Sequence, residues 1–288
     1  MAADAVSTSL VIGATGLVGS YLLHHLARSG QKPYAMSRSP HSEDGAKWIV
    51  GDLNNIEALP APNVRTLYCT ADAKLLAPAL QRLLTPSLKR VVAFSSTSIM
   101  TKMDSEIAGE REAMKRLAEA EEMIGQTCEA HSVAWTILRP TIIYAEGRDQ
   151  NLTPLSRLIG RFGFMPVVGG GKGLRQPVHA EDLALGAIAA ATSPATANKI
   201  YALPGGDTLS YREMIGRIFD GMKMPRRIVP IPELLWRAVF VWAGRMFPGA
   251  NVAMGIRMMQ DMAFDARPAV ADFGWQPRGF HPVFIQTD

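Results

Sequence analysis

Leu10-Val11-Ile12-Gly13-Ala14-Thr15-Gly16-Leu17-Val18-Gly19 is an apolar run that breaks into glycines and then into an amphipathic segment. Thr8 to Ile12 reads as a buried strand and Gly13 as a tight turn. Gly16 lets the backbone approach a pyrophosphate closely, and Gly19 lets the next helix pack on the sheet. The helix from Leu17 to Ser29 aims its first amides at whatever sits above the turn, and an anion fits there. The spacing is Gly-x-x-Gly-x-x-Gly. Between a strand and a helix it points to a bound dinucleotide, with a plain structural turn as the alternative.

Lys32 to Ser37 predicts a second strand, with Pro33 tolerated at its start. Between Gly19 and Glu43 there is no acidic residue. A site that prefers NAD usually places a carboxylate there for the ribose 2′-hydroxyl. Ser37-Arg38-Ser39 instead offers a guanidinium and two hydroxyls to a 2′-phosphate. The expected cofactor is therefore NADP(H) in preference to NAD(H); a solvated loop arginine is the alternative reading of Arg38. Trp48 to Leu53 reads as a third strand that brings Asp52 to a position suited to the adenine amine.

Val64 to Thr70 and Arg90 to Ser95 are the fourth and fifth strands, with a helix over Leu75 to Leu84 whose first turn Pro78 disturbs. Strands alternating with helices call for a parallel sheet covered on both faces, a doubly wound Rossmann-type α/β fold. The fifth strand runs into Ser95-Ser96-Thr97-Ser98, hydroxyls at the sheet edge where substrates bind in such folds; a serine-rich turn satisfying its own backbone is the alternative. A helix is expected from Ser105 or Glu106 through Met123, then a sixth strand over Trp135 to Leu138 that leaves the sheet through Arg139-Pro140.

After Glu146 the character changes. Gly147 to Asn151 opens a short helical stretch, and Gly169 to Gly173 is a flexible loop. Gln176 to Asp182 returns into an Ala-rich helix ending at Ala191, with Asp182 structural in its first turn. Lys199 to Leu203 is one more strand, and Ser210 caps a helix over Tyr211 to Met222. This organisation predicts a dinucleotide-binding domain of residues 7–146 plus the returning segment 176–203. Residues 147–175 and 204–288 then form a smaller, mostly helical substrate-binding or lid domain. Pro232 to Phe247 is unusually apolar; it reads as a lid helix, with weak peripheral membrane contact or the lining of a greasy pocket as alternatives.

The 288 residues are 48% hydrophobic and 19% charged, ordinary for a globular protein able to bury a substantial core. A net charge of +4 with scattered basic residues does not favour nucleic acid as a partner. Cys69 and Cys128 lie far apart and read as reduced, buried thiols, with no disulfide and no metal site. Met1-Ala2-Ala3-Asp4 lacks the regions of a signal peptide, and no run of apolar residues is long enough to span a membrane, so the expected location is cytoplasmic.

Gly13-Ala14-Thr15-Gly16-Leu17-Val18-Gly19, Gly51-Asp52-Leu53, Phe94-Ser95-Ser96-Thr97, Leu138-Arg139-Pro140-Thr141 and Arg175-Gln176-Pro177-Val178-His179-Ala180-Glu181-Asp182 stand in family order over nearly the whole chain. Together they resemble the extended and atypical short-chain dehydrogenase/reductases, the NAD-dependent epimerase/dehydratase-like branch. The resemblance implies a cofactor site made by Gly13, Thr15, Gly16, Leu17, Val18, Gly19, Ser37, Arg38, Ser39, Asp52, Leu53, Cys69, Thr70, Ala71, Ser95, Ser96, Lys115, Pro140, Thr141 and Ile142. It implies substrate contacts from Thr97, Tyr144, Arg148 and Arg175. Arg175 matches a position that holds substrate phosphates in some relatives, and with Arg148 it would grip an anion; a surface salt bridge is the alternative.

In that family a Tyr-x-x-x-Lys pair follows the serine or threonine. One helical turn brings the two side chains to the same side, and the ammonium lowers the tyrosine pKa. Here the lysine is Lys115, and Arg111 stands where the tyrosine is expected. Arginine stays protonated and holds anions, but it does not donate the proton. Replacement donors are Lys102, Tyr144 and His179, the last with a packed or capping role as its alternative.

Two functions follow from the resemblance. One is an NADP(H)-dependent oxidoreductase acting on a small, rather hydrophobic carbonyl or ene substrate. The other is a non-catalytic NADP(H)-binding redox sensor or assembly factor; sugar-nucleotide epimerisation or dehydration is a further alternative. Relatives often pair through the helices corresponding to Leu75–Leu84 and Glu106–Met123, which makes a homodimer an expected partner.

Overall fold

A computed structural model describes residues 9–236 and 252–284. In chain order the elements of its first part are β1 (Ser9–Ile12), α1 (Leu17–Arg28), β2 (Tyr34–Ser37), β3 (Lys47–Val50), β4 (Thr66–Cys69), α2 (Ala73–Leu83), β5 (Arg90–Phe94), α3 (Ser98–Lys102), α4 (Ala108–Ala130) and β6 (Ala134–Pro140). Then come β7 (Ile143–Tyr144), α5 (Thr153–Phe162), β8 (Met165–Val168), β9 (Leu174–Arg175), β10 (Val178–His179), α6 (Ala180–Thr192), β11 (Lys199–Leu203), β12 (Leu209–Ser210), α7 (Tyr211–Gly221), β13 (Ile228–Ile231), α8 (Val252–Arg257) and α9 (Arg267–Phe273).

The chain divides into two compact units. The first holds residues up to Thr141 with Ala180–Leu203 and Asp265–Gln276; the second holds Ile142–His179, Pro204–Phe264 and the residues from Pro277 onward. In the first unit, seven parallel strands run in the order β11-β6-β5-β4-β1-β2-β3. From β1 the chain builds outward through β2 and β3, then returns to β4 and builds the other way. The strand order therefore reverses between β1 and β4, which opens a crevice at their carboxyl ends.

Past their first residue, the central strands β1 and β5 are apolar without alternation, because both faces are covered. All four residues of β1 and all five of β5 are buried. Leu10, Ile12, Leu67, Cys69, Val91, Ala93 and Ile137 face α2 and α4, where Leu76, Leu80, Ile124 and Cys128 meet them. Helices α1 and α6 pack against each other as the other covering pair. Beneath α4, the buried Glu121 carboxylate takes a two-pronged bond from Arg139 of β6, with Nε at 2.9 Å, so the charge is matched where it is desolvated.

Several boundaries differ from expectation for local reasons. Helix α2 starts before Leu75 because the Asp72 side chain accepts from the Lys74 amide, and it runs through Pro78. The hydroxyl run is partly helical, since Ser98 opens α3. α4 extends seven residues past Met123, carried by the buried side chains of Ile124 and Cys128. The 265–276 segment, expected in the lid domain, belongs to the first unit. There Asp272 accepts from Lys199 Nζ at 2.8 Å and Tyr201 Oη at 2.5 Å, its carbonyl accepts from Ser193 Oγ at 2.6 Å, and Trp275 fits the gap left by Gly186.

The second unit joins helices α5, α7 and α8 to three strand pairs: β7 with β10, β9 with β12, and β8 with β13. Its core gathers Tyr144, Ile159, Val167, Ile215, Phe219 and Phe280. Ser210 caps α7 as expected, accepting from the Glu213 amide at 3.1 Å. Of the expected 232–247 helix, residues 233–236 are helical and 237–247 lie outside the described residues.

Candidate active site

The turn after β1 is fixed by backbone contacts that admit glycine alone. Gly13 has φ +77°, and a Cβ there would meet Thr70 Oγ1 at 2.6 Å. A Cβ on Gly19 would lie 2.1 Å from the Gly13 carbonyl oxygen, and on Gly16 3.0 Å from the same atom. The Gly16 amide closes the turn on the Gly13 carbonyl at 2.9 Å, and Thr70 Oγ1 donates to that carbonyl at 3.0 Å. Helix α1 begins without a side-chain cap and without an acidic residue in its first turn. Its first amides are thus open to an anion from outside.

Above this turn lies a cleft of about 360 Å³. It brings together the expected residues Gly13, Thr15, Gly16, Ser37, Arg38, Asp52, Leu53, Thr70 and Ala71. Met36, Gly51, Asn54 and Leu75 also line it, and the sequence reading missed them. Asn54 was findable in principle: an Asp-x-Asn turn after a strand ties back on itself, and here Asp52 Oδ1 accepts from both the amide and the side chain of Asn54. These two bonds, foremost the amide, and then Arg38 through space, hold the Asp52 carboxyl below the usual aspartate range. Among the described residues the exposed Arg38 guanidinium forms no hydrogen bond or ion pair, while Ser37 and Ser39 bond to each other across the loop.

The other expected cofactor residues are not part of this cleft's lining. Leu17 and Val18 stand at the first turn of α1, and Gly19 packs beneath it. Cys69 is fully buried and its thiol is turned toward the Ala71 carbonyl, so burial pushes it up to about 12. At the end of β5, Ser95 Oγ is buried with no hydrogen-bond partner among the described residues, and Ser96 Oγ accepts from the Ser98 amide at 3.0 Å. Pro140 ends the neighbouring β6, the Thr141 amide just beyond it donates to the Leu203 carbonyl at 3.3 Å, and Ile142 opens the second unit. The glycine cradle, the uncapped helix and the orphaned Ser95 hydroxyl fit a dinucleotide.

Thr97 is 5% exposed and donates to the Pro140 carbonyl at 3.0 Å. On α4, Lys115 is exposed, and Arg111, one turn earlier, donates Nη1 to the Ser105 carbonyl at 2.6 Å. Lys102 Nζ stands 3.8 Å from Glu110 Oε1. Glu110 in turn accepts from Ser105 Oγ at 2.6 Å. Arg111 is therefore built into the loop that opens α4.

The second unit holds the other candidates. Tyr144 is 2% exposed, its ring edge-on to His179 at 5.1 Å and to Phe280 at 5.0 Å. His179 Nε2 lies 3.5 Å from Glu146 Oε2. Burial alone would raise the Glu146 carboxyl; the bonds from His179 and the Val283 amide outweigh it and hold it below the usual range. Arg148 is exposed. Arg175 requires a correction: it is 3% exposed, and its guanidinium donates to the carbonyls of Leu174 at 2.6 Å, Gln260 at 2.8 Å and Arg257. With Nη1 and Nη2 donating to main chain and its guanidinium over the Tyr211 ring, it clamps β9 to the 257–260 segment instead of gripping an outside anion with Arg148.

Residues 9–62 match the NAD dependent epimerase/dehydratase family model. The chain is 26% identical over 253 residues to "NADH dehydrogenase [ubiquinone] 1 alpha subcomplex subunit 9, mitochondrial" of Arabidopsis thaliana, covering 80% of this chain and 61% of that one. It thus spans less than two thirds of that relative's length. It is 22% identical over 301 residues to the UDP-glucose 4-epimerase of Vibrio cholerae, covering 93% and 90%. The solved structure of MoeE5 in complex with UDP-glucuronic acid and NAD superposes with a TM-score of 0.70 at 19% identity, over 95% of this chain and 94% of that one. The epimerase/dehydratase match thus covers the β1–α1 turn and the strands that line the cleft, and the chain as a whole shares the fold of that solved structure.

Proposed function

We propose that this protein binds NADP(H) in the β1–α1 cleft and acts as an oxidoreductase on a small, rather hydrophobic carbonyl or ene compound. The observation that carries the cofactor assignment is Arg38, a cation in the cleft wall with no hydrogen-bond or ion-pair partner among the described residues. It occupies the stretch where an NAD-preferring site would put a carboxylate, and a 2′-phosphate matches its charge. When bound, the nicotinamide supplies hydride transfer; the protein positions it and completes the proton balance. Thr97 supports the substrate oxygen, Lys115 the ribose, and the proton comes from Lys102 or Tyr144.

Arg111 favours a second reading, a nucleotide-binding sensor or assembly subunit, because its guanidinium is used on the Ser105 carbonyl and cannot supply the missing proton. The plant relative, named as a subunit of NADH dehydrogenase, agrees with it. Titration of the purified protein with NADPH and NADH, followed by a panel of carbonyl and ene substrates read by nicotinamide absorbance, separates the readings. Turnover lost in Lys102→Ala or Tyr144→Phe identifies the donor. Tight NADPH binding with no turnover on any compound selects the sensor, and absence of binding to either nucleotide overturns both.

A further inference from the structure

At the end of α5 the second unit turns apolar side chains outward. Gly163, at φ 72°, bends the chain out of the helix and leaves Phe162 and Phe164 on either side of it, 53% and 43% exposed. Their rings lie 6.4 Å apart. Leu158, one turn before Phe162, is 38% exposed, and Val229 on the adjoining β13 is 46% exposed. Exposed phenylalanines are costly in water, and here two stand together at a corner.

The charges around them have one sign. Arg161 lies over the Phe162 ring at 5.3 Å, and Arg157 precedes it by one turn. Arg227 holds this corner by its carbonyl, which accepts from the Met165 amide at 2.9 Å, and its Nη1 lies 4.0 Å from where a Gly163 Cβ would stand. None of these three arginines forms an ion pair among the described residues, whereas the nearby Arg226 is matched by Asp220 and Glu213. The sequence 150–180 contains no acidic residue, and between Gly221 and Gln260 Glu233 is the single one.

We propose that this corner of the second unit, Leu158, Phe162 and Phe164 with Arg157, Arg161 and Arg227, docks on the surface of an anionic lipid bilayer. The aromatic side chains enter the headgroup boundary and the guanidiniums pair with acidic headgroups. Charge complementarity selects this occupant: a second copy of the chain would set the same three unpaired arginines against each other, and repulsion opposes that contact. The site shares no residue with the dinucleotide cleft, so the proposal stands whether the protein is an enzyme or a sensor.

The test is flotation of the full-length protein with phosphatidylcholine vesicles, with and without phosphatidylserine. Binding is expected only to vesicles containing phosphatidylserine, and it is expected to weaken as salt is raised. Replacing Arg157, Arg161 and Arg227 together by Gln should lower partitioning on the order of 100-fold, since each basic residue at such a surface contributes a factor of roughly five. Phe162→Ser with Phe164→Ser should also release the protein, and its circular dichroism should be unchanged because both rings are exposed. No wild-type binding, or binding unchanged in both variants, overturns the proposal. So does a wild-type dimer in solution that the phenylalanine double variant makes monomeric without any vesicle binding.

Discussion

Thr97 donates its hydroxyl to the carbonyl of Pro140 across 3.0 Å, joining the end of the β5 edge to the last residue of β6. A hydroxyl whose proton is used this way is an acceptor on its other side, so to support a substrate carbonyl oxygen the Thr97 hydroxyl must turn its proton away from Pro140. Thr97→Val keeps the shape and removes the bond. Its expected cost is about 1 kcal/mol, read as a lower urea midpoint at constant slope. Thr97→Ser should recover most of it. An unchanged midpoint in the valine variant would mean that the Thr97 amide, at 3.2 Å, satisfies Pro140 by itself.

Arg38→Ala should weaken NADPH binding by about 10- to 100-fold, the range of a lost charge-assisted hydrogen bond, and leave NADH binding nearly unchanged. Calorimetry with both nucleotides measures the difference. Equal losses would remove Arg38 from the 2′-phosphate.

Gly19→Ala places a methyl 2.1 Å from the Gly13 carbonyl oxygen, against backbone that cannot move without opening the turn. Overpacking of this kind costs about 1–3 kcal/mol or more, and dinucleotide affinity should fall with it. Gly109→Ala is the contrast. It lies in α4 with nothing within 4 Å of the new methyl, and it should be neutral or stabilising by about 0.5–1 kcal/mol. Thermal unfolding of the two variants side by side checks both.

The sequence reading located what is decided locally. The β1 run, the glycine turn and the Ser210 cap depend on residues within a few positions of one another. Arg175 was misread because its partners, Arg257 and Gln260, arrive more than 80 residues later and are carbonyls, which no side-chain pattern reveals. The 265–276 segment was assigned to the wrong unit for a similar reason: Asp272 finds Ser193, Lys199 and Tyr201 through space. Arg111 was legible as an anomaly at the family's tyrosine position, whereas its contact with Ser105 was not.

Asp149 makes the second unit sensitive to acid. Burial would raise its carboxyl, but the Thr153 hydroxyl and the amides of Leu152, Thr153 and Asn151 outweigh burial and hold it below the ordinary aspartate value of 3.8. Because the folded value is depressed, the stabilisation is full above the unfolded value and is lost as pH falls through the folded one. Stability measured across that acid window should flatten in Asp149→Asn, which should also be less stable at neutral pH. A variant with the wild-type acid slope would assign that slope to other carboxylates.

Both cysteines should be silent in the native protein. Burial pushes the thiols of Cys69 and Cys128 up to about 12, leaving almost no thiolate at neutral pH. A chromogenic disulfide reagent should label neither until denaturant is added, and then both. Rapid labelling of the folded protein would show that α4 or the β4 end opens readily.

The polypeptide changes unit at 141–142, 179–180, 203–204, 264–265 and 276–277. A gene fragment stopped at residue 203 would carry all seven strands of the parallel sheet and still lack the Asp272 anchor beneath Tyr201. Conversely, a protease nick in any one connection would leave both halves of each unit present and held by non-covalent contacts. Studies of either unit in isolation therefore need a rewired chain, with the 265–276 piece grafted directly after β11, rather than a simple truncation.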